Sequence, residues 1–206
     1  MKTVITIGRQ YGSAGHEIGE KVAKYFEIPF YDKSILTRAA KDSGFCEEMI
    51  KNHDERPTNS FLYNLVMDTY SFGYNSSSFV DMPISHKVFL AQFDTVKKIA
   101  DEGPCVIVGR CADYALSDYD NVLKLFIYAN EDDRSKRLMQ RFSIDEKEAK
   151  DLMFKTDKRR ASYYNYYSSK KWGRAESYDL CINSSLLGTD GTVKLIIQAV
   201  EDFEKR

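Results

Sequence analysis

The sequence predicts an α/β fold in which about five parallel strands form one sheet covered on both faces by helices. Three observations carry that prediction. Short apolar, β-branched runs alternate with segments of helical periodicity along the chain. Most of these runs are apolar throughout, the mark of strands buried on both faces. The first run opens directly into a glycine-rich turn that leads into a helix. With 206 residues, 43% of them hydrophobic and 30% charged, the chain suits one domain, 1–206, with a packed core.

The elements follow in order. TVITI at 3–7 is the first strand, and four of the eleven glycines then fall within residues 8–19. From Gly15 to Phe26, the apolar residues Ile18, Val22 and Phe26 recur at helical spacing, with Ala23 filling the face. IPFYD at 28–32 reads as a short second strand, and the helix KSILTRAAKDSG ends at Gly44. Residues 53–85 are the least regular stretch, a loop-rich excursion around the apolar helical patch FLYNLVMDTY, too short to bury a core of its own. A helix over 84–102 precedes the apolar strand CVIVG at 105–109, and VLKLFIY at 122–128 is the fourth strand. EDDRSKRLMQRF begins with acids and ends with bases, as the helix dipole favours. A long helix runs from about Asp145 into the tyrosines at 163–167, where packing is the expected role of the stripe ending at Trp172. DLCIN at 179–183 is the fifth strand, and Val193–Phe203 a closing amphipathic helix.

Composition excludes several classes. Thirty basic against 31 acidic residues leave a net charge of −1, which argues against a wholly basic nucleic-acid binder. No apolar run approaches the ~20 residues needed to cross a bilayer, and MKTVITIGRQ lacks a secretory pattern. The expectation is a cytoplasmic protein with no membrane partner. Cysteines 46, 105, 111 and 181 form no CxxC pair and histidines 16, 53 and 86 show no metal-ligand spacing, so no metal site is expected. Cys105 and Cys181 lie in apolar runs, where a cysteine acts as a small buried hydrophobe.

The turn Gly8-Arg-Gln-Tyr-Gly12-Ser-Ala-Gly15-His-Glu-Ile-Gly19 carries the chemistry. Successive backbone N–H groups pointing into such a turn, at the start of a helix, make a site for phosphate or sulfate. Arg9, Gly12, Ser13, Ala14, Gly15 and His16 are its candidate donor-phosphate contacts. A gapless count against the G-x-x-x-x-G-K-[ST] pattern puts Gly15 where the lysine belongs and His16 where Ser or Thr would hold magnesium. Arg9, His16 or a distant arginine must then supply the charge.

The chain resembles the cytidylate kinase-like family. ITIGRQYGSAGHEIGEKVA is similar to that family's GRQ-aromatic-GS-small-G-x-EIG signature, FYDKSILTRAA to its YLDTGxxYRA stretch, and CVIVGRCAD to its strand-plus-GRD motif. DKRRASYYNYY falls where those kinases carry an arginine-rich lid, and YDLCINSSLLG resembles their closing strand. The resemblance implies a P-loop kinase-type three-layer sandwich with a helical acceptor-binding region at about 33–85 and a basic lid at about 155–176. It implies transfer of a phosphoryl group from ATP, with Mg²⁺, to a nucleoside monophosphate. Asp32, Arg38, Arg110 and Asp113 are the implied acceptor-binding residues, although Asp113 comes two residues late for the GRD match. Arg159, Arg160 and Arg174 are the implied catalytic arginines of the lid. Two alternatives stay open: a catalytically weak nucleotide- or anion-binding protein on the same fold, favoured by the missing lysine, and a kinase of another small metabolite. The partner expected is a small-molecule nucleotide rather than nucleic acid, and a homo-oligomer is compatible.

The charge balance also hides a partition. Residues 155–174 hold seven bases and one acid, so a segment of +6 sits in a chain whose remainder is −7. That concentration points to a local polyphosphate site.

Overall fold

The computed structural model describes residues 1–44, 48 and 83–206. The predicted patch FLYNLVMDTY, Cys46 and His53 lie outside the described residues, as does most of the 53–85 excursion.

Five parallel strands form one sheet in the order β2-β3-β1-β4-β5. β1 (Val4–Arg9) is central, between β3 (Val106–Val108) and β4 (Val122–Tyr128), with Ile5 opposite both Val106 and Leu123. β2 (Phe30–Tyr31) and β5 (Leu180–Asn183) are the edges. Continuous apolar runs are thus the strands buried on both faces, as the sequence predicts, and the shortest pairing falls at an edge.

Strand alternation sorts the core into two layers. Ile5, Ile7, Leu125 and Ile127 meet Ile18 and Val22 of α1 (Gly15–Phe26) on one face. Val193, Ile196 and Val200 of the last helix, α7 (Ser184–Phe203), join them there. On the other face Val4, Ile107 and Val122 pack against Val96 and Ile99 of α3 (Ile84–Asp101). α2 (Ser34–Ser43) lies on α3 through Leu36, Ala39 and Val88.

Beyond β4, α5 (Glu131–Phe142) carries Glu131, Asp132 and Asp133 in its first turn and Arg141 in its last, the charge order read from the sequence. α6 (Glu146–Ser168) starts at a capping box: Glu148 N–H donates to the Asp145 carboxylate at 2.8 Å and the Glu148 side chain accepts from Asp145 N–H. The far half of α6 buries Tyr163, Tyr164 and Tyr167 against Phe89, Phe126 and Tyr178, so the tyrosines pack, as expected.

Three features depart from the sequence reading. α7 begins at Ser184 rather than Val193, because Asn183 caps it by accepting from Ser185 N–H at 3.0 Å and the helix resumes after a non-helical Gly188. A short helix α4 (Ala112–Ala115) and a 3₁₀ turn (Ala175–Ser177) have no periodic signal to announce them. Cys105 is buried as expected, and burial pushes its thiol up to about 12, but Cys181 is only half-buried.

Ile196, fully buried between α7 and the sheet, tests this core. Ile196→Ala is expected to lower unfolding free energy by about 2–5 kcal/mol in a urea titration. Leu186→Ala, at an 80% exposed position, should stay within about 0.5 kcal/mol of the parent.

Candidate functional site

The site forms at the carboxyl edge of the sheet, where parallel α/β folds place ligands. β1 ends at Arg9, and residues 10–14 make the turn into α1. Gly12 has φ 81°, and a side chain there would press within 2.9 Å of the Arg134 carbonyl; only glycine suits both conditions. Ala14 takes the left-handed conformation (φ 63°) as the residue before α1, with no side-chain cap. Within the turn, the amide and the hydroxyl of Ser13 both donate to the Gln10 carbonyl. The amides of Gly12, Ala14, Gly15 and His16 find no acceptor among the described residues, since the first turn of a helix has none to offer. Four free N–H groups at a helix start form an anion cradle.

The outer side of the turn is clamped. Arg134 of α5 donates from Nε to the Tyr11 carbonyl at 2.7 Å and pairs with Asp157 of α6. Asp157 in turn accepts the Tyr11 N–H at 2.8 Å. Arg137 donates to the Gly12 carbonyl at 3.1 Å, and Arg160 to the Arg9 carbonyl at 3.3 Å while lying over the Tyr11 ring. Arg134, Arg137 and Asp157 were not candidates from sequence; no local motif marks contacts made across more than a hundred residues.

Arg9, Arg110, Arg160 and Asp113 line one small pocket of about 30 Å³ together with Tyr164 and Trp172. Arg110 and Cys111 both sit at positive φ, 59° and 53°, directly after Gly109 at 81°. Non-glycine residues seldom adopt that conformation, and strain of this kind gathers at ligand sites. Asp113, 5% exposed, accepts from the Tyr164 hydroxyl at 2.6 Å. Burial pushes its carboxyl above the ordinary range, with Tyr164 and Lys170 pulling the other way. Asp32, after β2, lies 3.5 Å from Arg9 and 3.8 Å from His16, whose half-exposed ring stacks on Phe30. A second cavity of about 390 Å³ adjoins the turn and is lined by Gln10, Tyr128, Trp172, Gly173 and Cys181 among others. Gln10 and Tyr128 were not singled out from sequence either, and Trp172 only as part of the aromatic stripe.

The structure therefore brings Arg9, Gly12, Ala14, Gly15, His16, Asp32, Arg110, Asp113 and Arg160 to one edge. It does not bring the remaining candidates there. Arg38 makes a bidentate pair with Glu102, which follows α3 and precedes β3, at the opposite, amino edge of the sheet. The helix face that carries Arg38 is set by the packing of α2 on α3, which overrides the local motif. Ser13 is buried and spends its donors inside the turn. Arg159 and Arg174 are exposed and line neither cavity.

Among the described residues no group of three His, Cys, Asp or Glu side chains could hold a metal ion. Magnesium that arrives on phosphates needs one or two carboxylates and several waters. Asp32, at the mouth of the cradle, fits that sparse requirement and no dedicated metal cage does. No helix among the described residues is long and apolar enough to cross a membrane.

A family model described as the cytidylate kinase-like family matches residues 4–186. A solved structure of an uncharacterized protein from Eubacterium ventriosum is 31% identical at a TM-score of 0.73, over 97% of this chain and 99% of that one. Shikimate kinase from Bacteroides thetaiotaomicron (11% identity, TM-score 0.55, 98% and 99% covered) and a gluconokinase from Sinorhizobium meliloti (12%, 0.51, 98% and 96%) share the fold. None of the curated proteins matches.

Asp113 gives the site a pH signature. Its folded pKa lies above the ordinary value, so the folded chain holds a proton that the unfolded chain releases. Its contribution is largest below the ordinary carboxylate range and is lost as pH rises through the raised folded value. Asp113→Asn is expected to flatten that decline and to melt above the parent at pH 8 but not at pH 4, in thermal scans followed by circular dichroism.

Proposed function

The chain belongs to the cytidylate kinase-like family, and from that membership we propose that it moves the γ-phosphoryl group of ATP onto a nucleoside monophosphate. The observation that carries the reading is the cradle: the amides of Gly12, Ala14, Gly15 and His16, which find no acceptor among the described residues, beside a cluster of arginines from three separate segments. Phosphoryl transfer asks for positioning and charge neutralisation more than covalent work by the protein, and this edge offers both.

The amides of Gly12, Ala14, Gly15 and His16 hold the donor phosphates. Arg110, buried at the end of β3, holds the acceptor phosphate, and Arg160 faces the transferring group from the lid helix. Arg159 and Arg174 reach the site only with the lid in another position, and Arg38 has no part in it. Magnesium, when bound, neutralises charge on the donor oxygens, and Asp32 is the carboxylate placed to touch it through water. The 390 Å³ cavity is of a size for a heteroaromatic base, with Trp172 and Tyr128 as ring surfaces beside Gln10. Cytidine monophosphate is the acceptor the family's name suggests. Such a substrate places the protein among cytoplasmic enzymes.

A second reading, nucleotide binding without turnover, is favoured by one observation: the arginine pocket measures only about 30 Å³ while the lid helix is tied to the turn. A coupled ADP-release assay over a panel of monophosphates separates the two. Turnover with at least one acceptor is expected; ATP binding in a calorimeter with no ADP release from any of them leaves only the second reading.

Arg110→Gly sharpens the test, because glycine accepts the positive φ at no cost. It is expected to lower kcat/KM by about 10³-fold, the scale of a transition-state arginine, while the melting temperature stays level or rises. A fall in both would mean that Arg110 serves the fold.

A further inference from the structure

The missing loop lysine leaves a question of charge, and the packing around Gly15 answers it. In the gapless register, Arg9 stands at the first glycine of the phosphate-loop pattern and Gly15 at its lysine. The two departures are one. A Cβ at Gly15 would lie 2.6 Å from the Arg9 Cβ and 3.1 Å from its Cγ. Those atoms are the root of the Arg9 side chain, fixed to the central strand, so they cannot swing aside. The Arg9 stem therefore fills the space from which a lysine stem would start.

The head of the side chain continues toward the reacting edge. Its guanidinium lies over Gly109, where any side chain would overlap Nη1, and approaches Asp32 at 3.5 Å. It shares the small pocket with Arg110 and Arg160. Arg9 as a whole is only 9% exposed. A fixed, permanently charged head has been placed where the ends of β1, β2 and β3 meet, a step away from the amide cradle. His16 is a poorer source of the charge, since its ring is half exposed and turned onto Phe30.

We infer that Arg9 is the phosphate-binding cation of this site and replaces the loop lysine, with the charge carried from the end of β1 across Gly15 instead of from the first turn of α1. Its planar fork suits two phosphate oxygens at once, where an ammonium acts as a point charge. The inference rests on the reading of the turn as a phosphate cradle, but not on which nucleotide, or any nucleotide, carries the phosphate.

The test exchanges the two residues. Parent, Arg9→Gln and the double variant Arg9→Gly/Gly15→Lys are titrated calorimetrically with MgATP and, separately, with magnesium pyrophosphate, and each variant is melted to show that it is folded. Arg9→Gln keeps the stem against Gly15 and removes the charge. It should weaken both ligands by about 10- to 100-fold, the share of a charge-assisted hydrogen bond or two. The double variant restores the first glycine and the lysine of the pattern, with Ala14 still at its second glycine, and should bind both within about threefold of the parent. Arg9→Gln binding within about twofold of the parent overturns the inference, and so does a folded double variant that stays as weak as Arg9→Gln. If the parent binds pyrophosphate but not MgATP and Arg9→Gln loses the pyrophosphate, the cation assignment stands and the nucleotide reading falls. If the parent binds neither, both fall.

Discussion

The structure at the carboxyl edge depends on how one peptide turn is held. Both polar groups of Tyr11 are taken: its N–H by Asp157 and its carbonyl by Arg134, which are themselves paired. The carboxylate and the guanidinium have little access to solvent, with side chains 14% and 7% exposed. A buried pair of this kind survives only because each member is hydrogen-bonded beyond the other, and here the extra partners are the two sides of Tyr11. The consequence is geometric. α5 and α6 thus satisfy the groups of Tyr11, while the amides of Gly12, Ala14, Gly15 and His16 find no acceptor among the described residues. The same pair ties the lid helix to the turn, so the position of α6 and the shape of the cradle are set together.

Charge at the site follows a different plan from charge along the sequence. The basic block at 155–174 suggested that the lid supplies the cations. In the folded chain only Arg160 of that block reaches the pocket, and Arg9 and Arg110 come from the ends of β1 and β3. These are the better positions for recognition, because a strand buried on both faces fixes the root of a side chain more firmly than an exposed helix does. Arg159 and Arg174 are exposed and line neither pocket. A near-neutral chain thus presents three buried or half-buried arginines at one edge without becoming a basic protein.

Much of the fold was legible because its signals are periodic. The apolar run VLKLFIY, interrupted only by Lys124, and the helical spacing of Ile18 and Val22 decide their elements locally, and the structure agrees at β4 and α1. What was not legible depends on partners far away in the chain. Arg38 sits in a stretch that resembles an acceptor-binding motif, yet the face of α2 turned to α3 sends it to Glu102. Asp157 reads as a lone acid in a basic helix until Tyr11 arrives, 146 positions away. The helix past Gly188 had its start hidden by that glycine, whose non-helical backbone separates it from the short turn that begins at Ser184. Arg9 and Gly15 were both visible as oddities of the turn; that each requires the other needed the distance between them.

The run Gly109, Arg110, Cys111 shows what the edge is built for. Three successive residues hold positive φ, two of them without glycine's freedom, at a cost on the order of 1–3 kcal/mol for each strained residue. A glycine at 110 would remove its share and leave the turn intact. Cys111 is held in place by burial in the aromatic cluster with Phe126, Tyr164 and Tyr178, which accounts for its tolerance of the conformation. Arg110 belongs to none of the apolar clusters; it lines the pocket with Arg9 and Arg160. The three arginines share that pocket with Asp113, and Arg9 also pairs with Asp32, so positive charge is gathered there beside fewer acids. Backbone strain and positive charge thus converge on the same few residues, the combination a polyanion site calls for.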